Sequence, residues 1–166
     1  SDLNVDQSLP GFSKSFSPAQ ITRGERTTLT LTIDNSFNES VVGSLDFTDI
    51  LPNGVIIASP ANASTDCVGL LDDTTLTAIP GSSTIVLDAN GASFNGFEVL
   101  PAGATCTVVV DVSGTAVGAL ANITEDLKAD FIAAGKAAAV LEVSASEGLL
   151  ALRKEFTSDP ALAGAT

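Results

Sequence analysis

Residues 28–34, TLTLTID, alternate without a fault, with Leu29, Leu31 and Ile33 on one face and threonines on the other. A period of two marks a half-buried β-strand. The same period runs through 44–51 by way of Leu45 and Phe47. Pro52-Asn53-Gly54 then makes a turn, because Pro presets φ and Gly permits a positive one. Val55-Ile56-Ile57 continues as strand, and 76–79, 84–88 and 94–100 are further strand candidates. Pro101-Ala102-Gly103 turns the chain into 104–112, ATCTVVVDV, whose β-branched residues suit the centre of a sheet. Near the start, Phe12 and Phe16 alternate with Ser13 and Ser15 between Pro10 and Pro18. Proline in a sheet is confined to edges and ends, so 10–18 reads as an edge strand. Arg23-Gly24-Glu25 follows as a turn.

The segment 119–143 carries two patterns. Leu120, Ile123, Leu127 and Phe131 fit a helical stripe, and the alanines favour helix. Alternation places Ile123, Leu127, Ala129 and Phe131 inward, with a turn at Ala134-Gly135-Lys136 and a second strand over 139–143. Two strands are the expectation, with a helix over 119–131 as the alternative.

Many short strands separated by turns predict an all-β sandwich. Composition agrees. Of 166 residues, 45% are hydrophobic, mostly Ala, Val, Ile and Leu, and Phe is the only aromatic. Such a chain has enough apolar surface to fold. Asp and Glu number 20 against 7 Lys and Arg, a net charge of −13. That argues against a nucleic-acid partner, which needs clustered basic residues. The absence of His removes Ser–His and Cys–His nucleophile pairs and every His-based metal site, so an enzyme is not expected. No apolar run reaches the ~20 residues of a membrane span. Without an N-terminal signal segment, the expectation is a mature chain or a fragment.

Candidate chemistry is sparse. Cys67 and Cys106 are either two buried free thiols or one disulfide; their spacing fits neither a redox CxxC pair nor a metal knuckle. No cofactor is expected, Ca²⁺ being the one candidate. Asp72, Asp73, Asp88 and Asn90 supply oxygen ligands on predicted loops, without the fixed acids and closing Glu of the twelve-residue calcium loop. Asn38, Asn62 and Asn122 each begin an N-glycosylation triplet, a pattern that also arises by chance.

An internal repeat is visible. FSKSFS from Phe12 resembles LRKEFT from Leu152, and Lys14 and Lys154, Phe16 and Phe156, and Gly24 and Gly164 share one spacing of 140 residues. The repeat divides the chain into a leader or linker at 1–9, one module at 10–148, and at 149–166 the first strand of a following repeat or a donor strand.

PGFSKSFSPAQITRGERTTLTLTIDN, then TDILPNGV from Thr48, NASTDC ending at Cys67, and LPAGATCTV spanning Cys106 together resemble the Ig-like tandem repeats of large prokaryotic secreted and cell-surface proteins. The shared features are a lysine–phenylalanine opening, a TD-x-LP-x-G-V segment and paired cysteines. The resemblance implies an all-β, Ig-like antiparallel β-sandwich of about seven to nine strands, export to the cell surface, a Cys67–Cys106 disulfide and a structural or adhesive role without catalysis. On that basis the chain is expected to be a subunit of an extracellular filament that partners with itself. Leu149, Leu150, Leu152 and Phe156 are its candidate inter-subunit strand, adding to a neighbouring copy; the alternative is that the tail folds back on its own module as a last strand. The alternative is a spacer or adhesive repeat of a large adhesin. Surface Ig-like domains also sometimes join a first-strand Lys to a late-strand Asn through an isopeptide bond assisted by an acid. Here the residues are Lys14, Asn122 and either Asp46 or Asp49; otherwise Lys14 points outward with Ser13 and Ser15 as its neighbours.

Overall fold

A computed structural model describes residues 9–67, 74–89 and 100–146. Among the described residues all regular structure is β, in thirteen segments. They are β1 (Gly11–Ser17), β2 (Gln20–Thr22), β3 (Arg26–Asp34), β4 (Leu45–Ile50), β5 (Val55–Ile57), β6 (Ser64–Thr65), β7 (Thr75–Ala78), β8 (Thr84–Ala89), β9 (Thr105–Gly114), β10 (Gly118–Ile123), β11 (Lys128–Ala129), β12 (Ile132–Ala133) and β13 (Ala138–Ser144). No helix among the described residues is long and apolar enough to cross a membrane.

The strongest alternations form the centre. β3 buries Leu29, Leu31 and Ile33, and β9 buries Val108, Val110 and Val112, all at 1% exposure or less. The two strands pair antiparallel over nine residues, from Arg26 opposite Ser113 to Asp34 opposite Thr105. β1 covers the other edge of β3, and β5 and β6 both pair with β9, giving the order β1-β3-β9-β5. β1 is therefore an edge strand, as its bracketing prolines require.

A second sheet runs β12-β11-β4-β8-β7, and a third runs β10-β13-β2. After the cis Ser17–Pro18 bond the chain leaves β1 and enters β2, which lies parallel to β13. The inward faces of all three sheets share one apolar cluster. Phe12 of β1 meets Phe47 of β4 with ring centroids 5.1 Å apart, so the sheets face each other across a common core. Burial of each such side chain contributes about 1.5–3 kcal/mol.

The predicted turns appear at the residues that allow them. Gly54 has φ +99° and Val55 N–H donates to Pro52 O at 3.0 Å, and Gly103 has φ +76°. A Cβ at Gly54 would lie 2.8 Å from that of Ala116, so the turn needs glycine for space as well as for φ.

The last third departs from expectation. It is not one hairpin, and 119–131 is not a helix. β10 pairs directly with β13, while the excursion between them forms β11 and β12, and β11 joins β4 of the other sheet. Leu127 and Ala129 are buried as expected, but Ile123 is 58% and Phe131 is 75% exposed. The alternation in the sequence runs across a break in the strand. β10 turns Leu120 and Asn122 inward, the chain leaves the sheet after Ile123, and Asp130 and Phe131 sit at positive φ in the β11–β12 turn. The expected strand at 94–100 lies outside the described residues except for Leu100, which bridges to Val42.

Candidate functional site

The alternation that buries Phe16 also carries Lys14 inward, because residues two apart in a strand share a face. Lys14 retains 8% exposure and its side chain none. Directly against it lies Asp49 of β4, also fully buried, with Lys14 Nζ donating to Asp49 Oδ2 at 2.7 Å. The same oxygen accepts a second bond, from Asn122 Nδ2 of β10 at 3.1 Å. Asp49 Oδ2, on one sheet, therefore gathers one side chain from each of the other two.

The rest of the trio is under-satisfied. Asp49 Oδ1 and Asn122 Oδ1 are both buried without a hydrogen-bond partner. A buried ion pair stabilises only when its remaining lone pairs are met, since desolvation of each charge costs several kcal/mol. Burial lowers the Lys14 pKa from its ordinary value, and the charge and hydrogen bond of Asp49 offset only part of that. The pocket thus works against the charged amine it contains.

Of the two acids expected near Lys14, the structure brings in Asp49 and not Asp46. Asp46 has the opposite parity in β4 and lies across from Asp88 and Lys128 in the flanking strands. Alternation predicts Ile123 inward, but Asn122, the candidate amide, holds the inward position of β10 and Ile123 the exposed one.

Cys67 and Cys106 form a disulfide, Cα atoms 5.1 Å apart, both essentially unexposed. Asp66 stands beside them as a carboxylate, but the two sulfurs are committed to each other and offer no thiolate to a metal. Asp66 instead accepts from Thr107 N–H at 2.6 Å, fixing β6 against β9. The missed polar feature is Asn35, fully buried, whose Nδ2 donates to Ser40 O at 2.9 Å and Pro101 O at 3.0 Å and ties two loops together.

The glycosylation triplets differ in access. Asn62 is exposed, with Nδ2 2.7 Å from Asp111 Oδ2. Asn38 and Asn122 are buried and their amides are engaged with Asn35 and Asp49, so neither is presented to solvent in the folded chain. Of the calcium candidates, Asp88 is exposed on β8, while Asp72, Asp73 and Asn90 lie outside the described residues. So do the tail residues Leu149, Leu150, Leu152 and Phe156.

Solved structures share this architecture at low identity. A cohesin module from the family 33 glycoside hydrolase of Clostridium perfringens matches with a TM-score of 0.53 and 9% identity, covering 84% of this chain and 99% of that one. The C-terminal domain of the AgI/II polypeptide BspA of Streptococcus agalactiae gives 0.57 and 10%, over 81% of this chain and 50% of that one. BcpA, the major pilin subunit of Bacillus cereus, gives 0.51 and 12%, over 81% and 39%. The chain thus spans half or less of the latter two chains. These likenesses bear on the fold, which is an Ig-like β-sandwich. A search of curated proteins found no match. Residues 10–143 match the family described as a domain of unknown function, DUF7933, and the chain belongs to that family.

Proposed function

We infer that the chain is a structural module of an extracellular fibre or adhesin stalk, one unit of a linear array, and that it performs no catalysis. The observation that carries this reading is the repeat seen against the fold. The first copy of the pattern, around Lys14 and Phe16, is β1, an edge strand that docks antiparallel on β3. The second copy, around Lys154 and Phe156, follows the sandwich. The two copies share Lys and Phe at matching positions, and this module's β3, like that of any identical copy, already holds its own β1 from Gly11 to Ser17. The tail therefore serves either as the first strand of a following repeat or as a strand added at another edge of a neighbouring copy, through Leu149, Leu150, Leu152 and Phe156. Repeated head to tail, such a contact does not close and builds a filament.

The sandwich fold shared with the major pilin subunit of Bacillus cereus supports a surface location. So does the disulfide, since such bonds persist in oxidising compartments. Light scattering and negative-stain microscopy of the full chain, and of a chain ending at Ser146, test the linkage. Concentration-dependent polymers that vanish with the tail support strand addition. Monomers of both chains overturn strand addition and leave the spacer repeat, in which the polypeptide alone continues the array. Polymers that survive truncation overturn the role of the tail.

A further inference from the structure

We propose that Lys14 and Asn122 become joined by a covalent amide bond in the folded protein, with Asp49 carrying the protons. The geometry places a primary amine and a carboxamide on two different sheets against one oxygen of a single carboxylate, in a site closed to water. Among the described residues neither has another hydrogen-bonding side chain as partner, and the carboxylate touches both the nitrogen that must lose a proton and the nitrogen that must leave.

The step balances within the trio. Asp49 takes a proton from the Lys14 ammonium across the 2.7 Å contact, leaving a neutral amine. The amine lone pair attacks Asn122 Cγ and forms the new C–N bond, while the carbonyl π electrons move onto Oδ1. The carbonyl then re-forms and the Cγ–Nδ2 bond breaks. Nδ2 departs as ammonia with the proton of Asp49, and Nζ returns its surplus proton to Asp49. The products are a neutral secondary amide, free ammonia and a protonated Asp49. No oxidant, metal or other reactant is consumed.

The site favours this exchange over a resting ion pair. Proton transfer from ammonium to carboxylate removes two charges from an apolar interior, where each is costly. It also gives Asp49 a hydroxyl donor, and the buried Oδ1 of Asn122 lacks a donor in the unreacted arrangement. Proximity supplies the remainder, since fixed partners react as if at very high effective concentration.

The chemistry stands independently of the array reading, because a monomeric module cross-links as readily as a polymer. Intact-mass measurement of the full chain, folded and then denatured and reduced, is the test. The expected mass is lower than that of the sequence by about 17 Da, the mass of ammonia. Proteolysis is expected to release one branched peptide containing both Lys14 and Asn122. Asp49→Asn removes the proton carrier and Lys14→Arg removes the primary amine while keeping its charge; both are expected at their full sequence masses. A wild-type chain that folds and keeps its full mass overturns the proposal, whatever the variants do. A lowered mass that persists in Lys14→Arg overturns it too, because the ammonia then comes from elsewhere.

Discussion

Removing the disulfide by Cys67→Ala with Cys106→Ala lengthens the unfolded chain's freedom without touching the outer surface. The two residues are separated by 39 positions. In the chain-entropy account, a closed loop of that length restricts the unfolded ensemble by about 4 kcal/mol at 25 °C. At about 3 °C of melting temperature per kcal/mol for a domain of this size, the variant should melt about 12 °C below the oxidised parent. Far-UV circular dichroism melts of both proteins read this directly. Burial adds a kinetic signature. With Cys67 unexposed and Cys106 at 2%, a reductant reaches the sulfurs only when the sandwich opens. Thiols released by dithiothreitol should then appear at the unfolding rate and not at that of an exposed bridge. A fall of less than about 3 °C, within the spread of a neutral core change, refutes the entropic reasoning. It would mean that the bonds around Thr107, from Asp66 and Thr65, already hold this corner in both states.

Leu87 is fully buried in β8, and Leu87→Ala should destabilise by about 2–5 kcal/mol in urea titration through the cavity it leaves. Gly114 has no room for a methyl group: a Cβ there would stand 2.7 Å from Val143 Cγ2 and 3.1 Å from Ile21 Cδ1. Gly114→Ala should therefore cost about 1–3 kcal/mol by prising β9 from the β13–β2 pair, measured by the same titration. In Asn122→Ala, Lys14 keeps a free amine whose folded pKa is pushed by burial below 10.5. Between that lowered value and 10.5 the unfolded chain binds more protons, so stability should rise with pH across the window and fall again as pH drops through the folded value. Urea titrations across that alkaline range check the sign; a fall in stability with rising pH contradicts it.

Where one face of a strand is wholly apolar, the fold was legible in the sequence. Leu29, Leu31 and Ile33 could face only a core, and the valines of β9 only a central position. Pro10 and Pro18 marked β1 as an edge because a missing N–H cannot serve a ladder. Legibility failed where tertiary contacts overrode local pattern. Ile123 and Phe131 looked inward because they are large and apolar, yet β10 spends its inward position on Asn122 to meet a partner 73 residues away. β11 is two residues long and exists because β4 offers it an edge. The parallel pairing of β2 with β13 joins segments from opposite ends of the sequence, which no local window contains. Of the site, Lys14 and Asn122 were legible with Asp49 as one of two acids; only parity within the folded β4 separated Asp49 from Asp46.

That parallel pair decides how the module responds to tension. β2 is entered from the N-terminal side and β13 is left toward the C-terminal side, and Gln20, Ile21 and Thr22 lie beside Glu142, Val143 and Ser144 in the same direction. Pulling the chain's two ends apart slides these strands past each other, so their hydrogen bonds, with those flanking them from Glu142 to Ala19 and from Arg23 to Ser144, are strained together. An antiparallel hairpin opened at its free end would yield one rung at a time. Ahead of this shear joint, Lys14 anchors β1 in the interior, so a strand that would otherwise peel from β3 is stopped after its first few residues.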